Sequence, residues 1–399
     1  MKTDFVNFVK IGEVCKIGAG NSAPQKKEFF VNGKFPFFRT SDVGMLKISR
    51  LLNTSADYLN ENGTKNLKLF KRGTILMPKS GASTFLNHRV IMDVDGYVSS
   101  HLATIKTDET KINNFYLFYF LQGIRAQELI QDHKYPSLNL PIIGSIEIPL
   151  PPLPEQRRIV KILDEVFEGI AKVRENTEKN LQNAKELFES YLQSIFSNPG
   201  EVWEEKKLED IGQITSSKRI YKNEYVKEGV PFYRIKEVKE LAHNKNITIE
   251  LYISKKRYTE IKDTFGVPKP GDLLMTAVGT IGEIYVVKDH NEFYFKDGNV
   301  LWFKNFDSID IEFLKFVLMS FVEEINKLSK GSAYSALTIE KIEKHKIFLP
   351  PLPEQKKIVA KLDALSEQTK KLEGIYKQKL VDLEELKKSV LKKAFAGEL

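Results

Sequence analysis

The sequence predicts an α+β protein in which two β-rich globular domains alternate with two long helices. Three observations carry this prediction: a motif that occurs twice, an apolar stripe at heptad spacing after each copy, and a length of 399 residues, more than one hydrophobic core usually holds. The expected segments are a globular domain at 1–150, a central helical segment at 151–198, a second globular domain at 199–349 and a C-terminal helical segment at 350–399.

The repeated motif divides the chain into two copies of one unit. Leu150–Asp164 reads LPPLPEQRRIVKILD and Leu349–Asp363 reads LPPLPEQKKIVAKLD, with 11 identities in 15 positions at an offset of 199 residues. A weaker echo matches Phe35-Pro-Phe-Phe-Arg39 to Val230-Pro-Phe-Tyr-Arg234. Because repeated sequence predicts repeated structure, each copy should contain one globular domain followed by one helix.

The globular domains contain short runs rich in β-branched residues, separated by Gly, Asn, Asp and Pro, which is typical of strands and turns. The predicted strands lie at Thr74–Met77, Tyr97–Lys106, Leu273–Val278, Ile284–Val287 and Asn299–Lys304. Apolar residues at helical spacing also predict one helix in each domain, at about Asn113–Asp132 and Ile309–Lys327.

Each copy of LPPLPEQ introduces a long helix. Pro154 and Pro353 suit the first helical position, and apolar residues then recur at spacings of four and three, which indicates a coiled-coil seam. A helix of about 42 residues would be about 63 Å long. An antiparallel pair with one domain at each end makes the connections short and gives a pseudo-two-fold internal repeat. The expected helix seam includes Ile159, Leu163, Val173, Ile358, Leu362 and Leu372.

Composition and charge restrict the possible functions. Lysines and arginines outnumber acidic residues by 61 to 53, and residues 1–150 carry a net charge of +6, which favours a polyanionic partner. A single cysteine, Cys15, excludes a disulfide framework. The longest apolar stretches, Phe115–Leu121 and Phe313–Val322, are too short to span a bilayer. We therefore expect a cytoplasmic protein without membrane association.

The sequence contains no recognisable reaction centre. It has no phosphate-binding loop, no His-Glu-x-x-His pair and no Asn-Pro-Pro-aromatic motif, and its six histidines lack metal-ligand spacing. We expect no catalytic residue, no metal site and no cofactor site in this chain.

The order of segments, with LPPLPEQ leading twice into a long helix, closely resembles the specificity subunit of type I restriction-modification enzymes. The C-terminal Lys393-Ala-Phe-Ala-Gly-Glu-Leu399 is also similar to the terminus of that family. The resemblance covers the whole chain. It implies a non-catalytic DNA-binding subunit in which each globular domain is a target-recognition domain that reads one half of a bipartite sequence in double-stranded DNA.

The same resemblance implies partners. The helices would set the distance between the two half-sites and dock two methyltransferase (modification) subunits, which bring S-adenosylmethionine for DNA methylation. A restriction translocase-nuclease subunit can join such a complex.

Three corresponding loops in each copy supply side chains suited to DNA contact, since Arg and Lys bind phosphates and guanine edges while hydroxyls and aromatics contact bases or backbone. The candidate DNA-binding residues are Arg39, Thr40, Ser41, Lys79, Ser80, Ser83, Thr84, Lys134 and Tyr135 in the first domain, and Arg234, Lys236, Thr276, Thr280, Lys330, Ser332 and Tyr334 in the second. Arg39 and Arg234 are matching positions of the two copies. A role in holding the shared fold is therefore an equally weighted alternative to DNA contact for these two residues.

Two other functions stay open at this point. A DNA-independent coiled-coil scaffold that organises partner subunits would share the helices, but the excess positive charge of the first domain counts against it. A fragment of a single-chain restriction-methylation enzyme is disfavoured by the absence of any methyltransferase motif.

Overall fold

A computed structural model describes residues 7–45, 50–130, 134, 136–328 and 338–399. The chain divides into two compact units. The first unit comprises Met1–Lys179 and Lys377–Leu399, and the second comprises Asn180–Tyr376. Each unit contains one globular domain together with part of each of the two long helices. The predicted architecture of two β-rich domains and two long helices is therefore confirmed.

The first domain consists of short strands and short helices. Its strands are β1 (Phe8–Lys10), β2 (Cys15–Ala19), β3 (Phe35–Phe38), β4 (Leu51–Leu52), β5 (Tyr58–Leu59), β6 (Ile75–Pro78), β7 (Val90–Met92), β8 (Tyr97–Val98), β9 (Leu102–Thr107) and β10 (Glu147–Pro149). Its helices are α1 (Ile11–Val14), α2 (Thr40–Met45), α3 (Glu61–Thr64), α4 (Asn114–Gly123), α5 (Ala126–Leu129) and α6 (Leu140–Ser145). The strands form sheets in the orders β2-β9-β6-β7-β4, β5-β3-β8 and β1-β10.

The long helices follow the two copies of the motif. They are α7 (Leu153–Ser197), with 45 residues, and α13 (Leu352–Phe395), with 44 residues. A proline in the first turn suits both helix starts, because its missing N–H has no partner there in any case.

The second domain repeats the topology of the first. Its strands are β11 (Glu204–Lys207), β12 (Gln213–Thr215), β13 (Tyr225–Val226), β14 (Val230–Tyr233), β15 (Tyr252–Ile253), β16 (Leu273–Thr276), β17 (Ile284–Val286), β18 (Tyr294–Phe295), β19 (Val300–Lys304) and β20 (Lys346–Leu349). Its helices are α8 (Leu208–Ile211), α9 (Ile235–Ala242), α10 (Lys255–Thr264), α11 (Ile311–Leu328) and α12 (Ile339–Glu343). The sheet orders β12-β19-β16-β17, β13-β15-β14-β18 and β11-β20 match those of the first domain strand for strand at their centres.

The first predicted domain helix is shorter than the periodicity of its apolar residues suggested. It ends at Gly123, because Ile124 and Arg125 adopt extended backbone conformations. The Ile124 carbonyl accepts a hydrogen bond of 3.0 Å from Arg89 Nη2, so a tertiary contact fixes this break. In the second domain, α11 covers the predicted range within about two residues at either end.

In each unit the core of the globular domain continues into the long helices. In the first unit, Ile159 and Leu163 of α7 and Leu391 of α13 are buried in the same cluster as strands β6 and β9 and helix α4. In the second unit, Leu192 of α7 and Leu362 of α13 are buried together around Phe316 of α11. Since burial of apolar area is the main stabilising term, each domain and its helix segments should fold as one cooperative body.

The two long helices run antiparallel within each unit. In the first unit Arg174 of α7 forms an ion pair with Glu384 of α13, while Arg158, earlier in α7, donates to the Leu399 carbonyl just beyond the end of α13. In the second unit the opposite ends of the same helices pack together, with Leu192 in contact with the cluster that includes Leu362.

The predicted seam is wrong at two positions near the middle of the helices. Val173 and Leu372 are 37% and 38% exposed, whereas Ile159, Leu163 and Leu362 are buried and Ile358 is partly buried. The buried positions near the middle are instead threonines.

Thr177 and Thr369, and not the larger Val173 and Leu372, occupy the buried seam positions near the middle of the helices. Their side chains are almost fully buried, and each hydroxyl donates to a carbonyl one turn earlier in its own helix, Val173 O at 2.7 Å and Leu365 O at 3.0 Å. An α-helix has 3.6 residues per turn rather than 3.5, so a heptad stripe drifts by about 20° per heptad in a straight helix. That drift moves Val173 and Leu372 out to the solvent-facing side.

Candidate nucleic-acid interface

Two of the three predicted loops of the first domain meet beside the turn at Ser99–His101. The backbone N–H of Lys79 donates to the His101 carbonyl at 2.9 Å, and the Lys79 carbonyl accepts from Leu138 N at 2.8 Å. Gly81 N donates to the Pro136 carbonyl at 3.0 Å. The strand ends therefore bring residues 79–84 and 136–138 to one edge of the five-stranded sheet. We call this set, residues 79–84, 99–101, 134 and 136–138, the first loop cluster.

The first loop cluster presents polar and cationic groups. Ser80 Oγ and His101 Nδ1 lie 2.7 Å apart, so the serine hydroxyl orients an exposed imidazole. Lys79 is half-buried and has no acidic partner among the residues that the structure describes, and Lys134 is exposed. Ser83 Oγ is occupied by a hydrogen bond of 3.2 Å to the Ser80 carbonyl, which shapes the turn. A cationic, hydroxyl-rich edge of this kind suits a phosphate backbone and base edges.

The third predicted loop lies next to this cluster. Ser99 N donates to the Phe38 carbonyl at 2.9 Å, which connects the end of β3 to the turn at Ser99–His101. Helix α2 begins immediately afterwards, with Thr40 half-buried and Ser41 exposed. Of the first-domain candidates, Ser41 and Lys134 are the most accessible.

The prediction that Thr84 contacts DNA is wrong, because its side chain is 1% exposed. It lies in the short 3-10 turn Ala82–Leu86, which turns the side chain inward. Arg89 is also buried, and burial lowers the pKa of its guanidinium to about 10. Arg89 has no carboxylate partner within the described ranges, and its charge remains in the interior of the domain.

Arg39 holds the first domain together through contacts on two sides. Its side chain forms an ion pair with Asp57 and lies over the ring of Phe37, with the guanidinium carbon 5.1 Å from the ring centroid. Its backbone N–H donates to Asp42 Oδ2 at 2.7 Å. The carboxylate of Asp42 is buried and also accepts from Ala56 N at 3.0 Å.

Arg234 occupies the same place in the second domain. Its Nη2 donates to Glu237 at 2.7 Å and to Glu250 at 2.8 Å, and its backbone N–H donates to Glu237 at 2.7 Å. Burial alone raises the pKa of Glu237, but the hydrogen bonds from Arg234 outweigh it and keep the pKa of this carboxyl below its ordinary value. Both arginines are thus committed to carboxylates of their own domain, which favours their fold-holding role. We call each arrangement an arginine clasp.

The second domain repeats the loop geometry with different side chains. Ala277 N donates to the Asn299 carbonyl at 2.9 Å, as Lys79 N does to His101. Gly81 and Gly279 both have a positive φ, of 75° and 76°, a conformation that favours glycine. The two domains therefore present the same turn at the same edge of the sheet.

The prediction for Thr276 is wrong, because this residue is fully buried. Its hydroxyl donates to the Thr280 carbonyl and accepts from Glu283 N, so it fastens the turn from inside. Thr280 is exposed, and its hydroxyl accepts from Lys239 Nζ at 3.3 Å. Lys239, on α9, was missed by sequence reasoning, although its spacing of three from Lys236 places both on one face of an amphipathic helix.

Most cations around the second loop are paired with acids. Lys236 Nζ lies 2.7 Å from Glu250, and Lys239 and His243 lie 3.5 and 2.8 Å from Glu283. This is consistent with the zero net charge of residues 201–349. Tyr135, Lys330, Ser332 and Tyr334 lie outside the described residues.

No group of three or more His, Cys, Asp or Glu side chains that could hold a metal ion occurs among the described residues. In that same part of the chain, no helix combines the length and apolar character needed to cross a membrane.

Fold and loops together define a duplicated, two-domain protein that presents polar turns at equivalent edges of its sheets and carries long helical segments. Comparison with known families makes the class specific. The model of the type I restriction modification DNA specificity domain matches residues 4–182 and again residues 200–381. The chain belongs to this family and is a DNA sequence-specificity subunit; a DNA-independent scaffold is not favoured.

Individual relatives agree. The chain is 26% identical to a Haemophilus influenzae protein provisionally named as a type I restriction enzyme specificity subunit, over 90% of this chain and 87% of that protein. It is also 26% identical to the type I restriction enzyme MjaVIII specificity subunit of Methanocaldococcus jannaschii, over 98% of this chain and 92% of the relative.

Solved structures share the fold. A chain from a structure of the type I R-M system, described for its complex assembly and conformational transition, has a TM-score of 0.81 at 22% identity, over 98% of both chains. The HsdS subunit from Thermoanaerobacter tengcongensis has a TM-score of 0.62 at 22% identity, over 98% of this chain and 97% of that one.

Proposed function

We propose that each globular domain reads one half of a bipartite sequence in double-stranded DNA, and that α7 and α13 set the distance between the half-sites. The observation that carries this proposal is the repetition of one loop geometry with different side chains. Lys79 and Ala277 make the same backbone contact at the same sheet edge, to His101 and Asn299 respectively. A shared backbone holding different side chains is what two readers of different sequences require.

In the first domain, Lys79 and Lys134 would neutralise phosphates, while Ser80, His101 and Ser41 would reach base edges or the backbone. In the second domain, Lys236 and Lys239 would exchange their acidic partners for phosphates, and Thr280 would lie at the tip of the reading turn. Binding by the second domain should therefore cost the separation of existing ion pairs, such as Lys236–Glu250. Such exposed pairs are weak, so this cost is small.

The long helices would dock two methyltransferase subunits. Several large apolar side chains remain exposed on them, and partner subunits docked there would cover these side chains. These residues are Val173, Leu187, Tyr191, Leu372, Ile375, Val381 and Leu386. The chain would supply no chemistry of its own: the partner subunits would bring S-adenosylmethionine and methylate DNA in the cytoplasm, and a restriction translocase-nuclease subunit could join them.

An insertion in α7 tests whether the helices set the spacing. Four residues inserted after Val173 lengthen the helix by about 6 Å and nearly restore its facing stripe, since one turn is 3.6 residues. The spacer between the half-sites should grow by up to about two base pairs, at about 3.4 Å each, while both half-sites stay the same. Sequencing the methylated sites of cells that carry the variant complex gives the answer.

An insertion of two residues at the same place is the matched control. It rotates the following helix by about 200°, so it should misalign the stripe and abolish methylation. An active four-residue variant that keeps the original spacer would show that the helices only dock partners.

A further inference from the structure

The glutamine of the repeated LPPLPEQ motif is fully buried in both copies, although glutamine is usually exposed. Gln156 is 0% exposed and Gln355 is 1% exposed. Each lies in the first turn and a half of its long helix, at the junction with a globular domain. A buried amide is stable only where its donors and acceptor have partners, so its contacts show what the position is for.

The Gln156 side chain joins the start of the long helix to the segment that precedes α4 in the first unit. Its Oε1 accepts from the backbone N–H of Asn113 at 2.7 Å, and its Nε2 donates to the carbonyls of Pro151 at 2.8 Å and Lys111 at 3.2 Å. Asn113 is the N-cap residue of α4. The long helix therefore binds the start of a helix that belongs to the reading domain.

Gln355 repeats this arrangement in the second unit. Its Oε1 accepts from the backbone N–H of Asp310 at 2.8 Å, and its Nε2 donates to the Pro350 carbonyl at 2.8 Å. Asp310 caps α11, since its Oδ1 accepts from Glu312 N and Phe313 N at 3.0 and 3.1 Å.

In a capping box, a side chain three residues into the helix binds the N-cap N–H. Here that bond comes from a different helix in both copies. Hydrogen bonds are directional, so the amide fixes the rotation and the distance of the domain helix relative to the long helix. Apolar packing at the same junction lacks that directionality.

We propose that Gln156 and Gln355 are positioning residues for DNA reading: each locks the orientation of its domain on the long helix, and so the phase at which the domain meets its half-site. This inference rests on the proposed function. Because neighbouring base pairs are about 3.4 Å apart, a small rotation of a domain at its helix is enough to blur the preferred spacer length.

The test measures methylation by the complex reconstituted with its methyltransferase subunits, on DNA whose spacer is the preferred length or one base pair longer. In Gln156→Ala and Gln355→Ala, the ratio of kcat/KM between the two spacers should fall by about tenfold, the scale of losing a buried hydrogen bond. Discrimination against a wrong base within a half-site should stay within about threefold of wild type, because the reading loops are untouched.

Gln182→Ala is the matched control, since this glutamine lies on the same helix, is exposed, and its Nε2 donates to the exposed Glu186 at 2.7 Å. It should leave the spacer ratio unchanged. If Gln156→Ala folds poorly, Gln156→Met replaces it in the test, because methionine keeps the side-chain length without the polar atoms. Gln156→Met should lower the ratio of kcat/KM between the two spacers in the same way. Rates that fall equally for both spacers would overturn the proposal, because a glutamine that only stabilises the fold does not change the ratio.

Hydrogen exchange of the isolated full-length chain separates this inference from the proposed function. Amides at residues 113–117 should exchange faster in Gln156→Met than in Gln182→Ala, whatever the DNA target is. Unchanged exchange there would overturn the locking role. Exchange could be faster in the variant while the wild-type complex shows no preference between the two spacers. That result would refute the proposed reading and spacing function and not the locking role.

Discussion

The two units differ most in how the domain is anchored to the long helices. In the first unit a polar contact is added to the apolar packing of Ile159, Leu163 and Leu391: Asp164 of α7 pairs with Arg50 and accepts from the Tyr119 hydroxyl. In the second unit, the residue at the place of Tyr119, six positions after the N-cap, is Phe316, and it is buried against Leu192 and Leu362. Both anchors join the domain helix to the coiled coil.

This difference shows which contacts the duplication has retained. In both units the buried glutamine binds the backbone N–H of the residue that caps a domain helix, and an arginine pairs with carboxylates of its own domain. The anchors and the loop side chains differ. The retained contacts satisfy backbone groups that any copy of this fold must bury, whereas the polar contact at Tyr119 is replaced by apolar packing at Phe316. Substitutions can therefore weaken one unit and leave the other intact.

The largest effect is expected where the apolar anchor is broken. Leu362→Asp places an unpaired charge in the buried cluster with Leu192 and Phe316, and it should destabilise the second unit by more than about 4 kcal/mol. Scanning calorimetry should show one of the unfolding transitions lost or strongly lowered. Leu372→Asp, on the exposed side of the same helix, should change stability by less than about 0.5 kcal/mol. Equal losses would mean that Leu372 belongs to the seam after all.

The two clasps should respond unequally to loss of the arginine. Arg234→Ala leaves the buried Glu237 without its cation and should cost about 3 kcal/mol. Arg39→Ala should cost only about 1 kcal/mol, because Asp57 is partly exposed and Asp42 keeps its backbone partners. Both losses in the free energy of unfolding can be measured by urea unfolding, with each domain followed separately. A larger loss for Arg39→Ala would reverse the assignment of which clasp is buried.

Tyr119→Phe gives the first unit the residue type that the second unit has at Phe316. It removes a hydroxyl that binds both Asp164 and Arg50, and it should cost about 1 kcal/mol. In a double-mutant cycle with Asp164→Asn, the coupling energy should be clearly above zero. A coupling energy near zero would show that the three groups do not act as a network.

The smallest effect is a pH dependence confined to the second unit. Burial lowers the pKa of His345. Its imidazole packs against the ring of Phe321, with the two ring centroids 3.9 Å apart. The folded state therefore favours the neutral imidazole, so this contribution is complete above the ordinary pKa of about 6.5 and decreases as the pH falls below it.

His345→Ile tests this effect, since isoleucine is the residue that precedes β10 in the first domain, at Ile146. Between pH 7.5 and 6, the unfolding midpoint of the second unit should fall less in the variant than in the wild type. The same slope in both proteins would assign the pH dependence to another group.

The sequence was sufficient to predict the duplication, the two long helices and most of the sheet-forming runs, because periodicity and repeated motifs are local signals. The single strand predicted over Tyr97–Lys106 is wrong, since a turn at Ser99–His101 divides it into β8 and β9. It was not sufficient for Thr84 and Thr276, whose burial depends on turns that fold back onto distant strands. Nor could it distinguish Val173 from Thr177 at the seam, where helix drift decides which face is buried. The role of Gln156 required the position of Asn113, which lies 43 residues away in sequence.

The most direct test of the central claim, that each domain reads one half-site, is a segment exchange. Residues 1–150 are replaced by the matching segment of a relative with a different target, and the methylated sequence is determined in cells that supply the methyltransferase subunits. One half of the target should change to that of the relative, while the other half and the spacer stay the same. Changes in both halves would contradict the division of reading between the two domains.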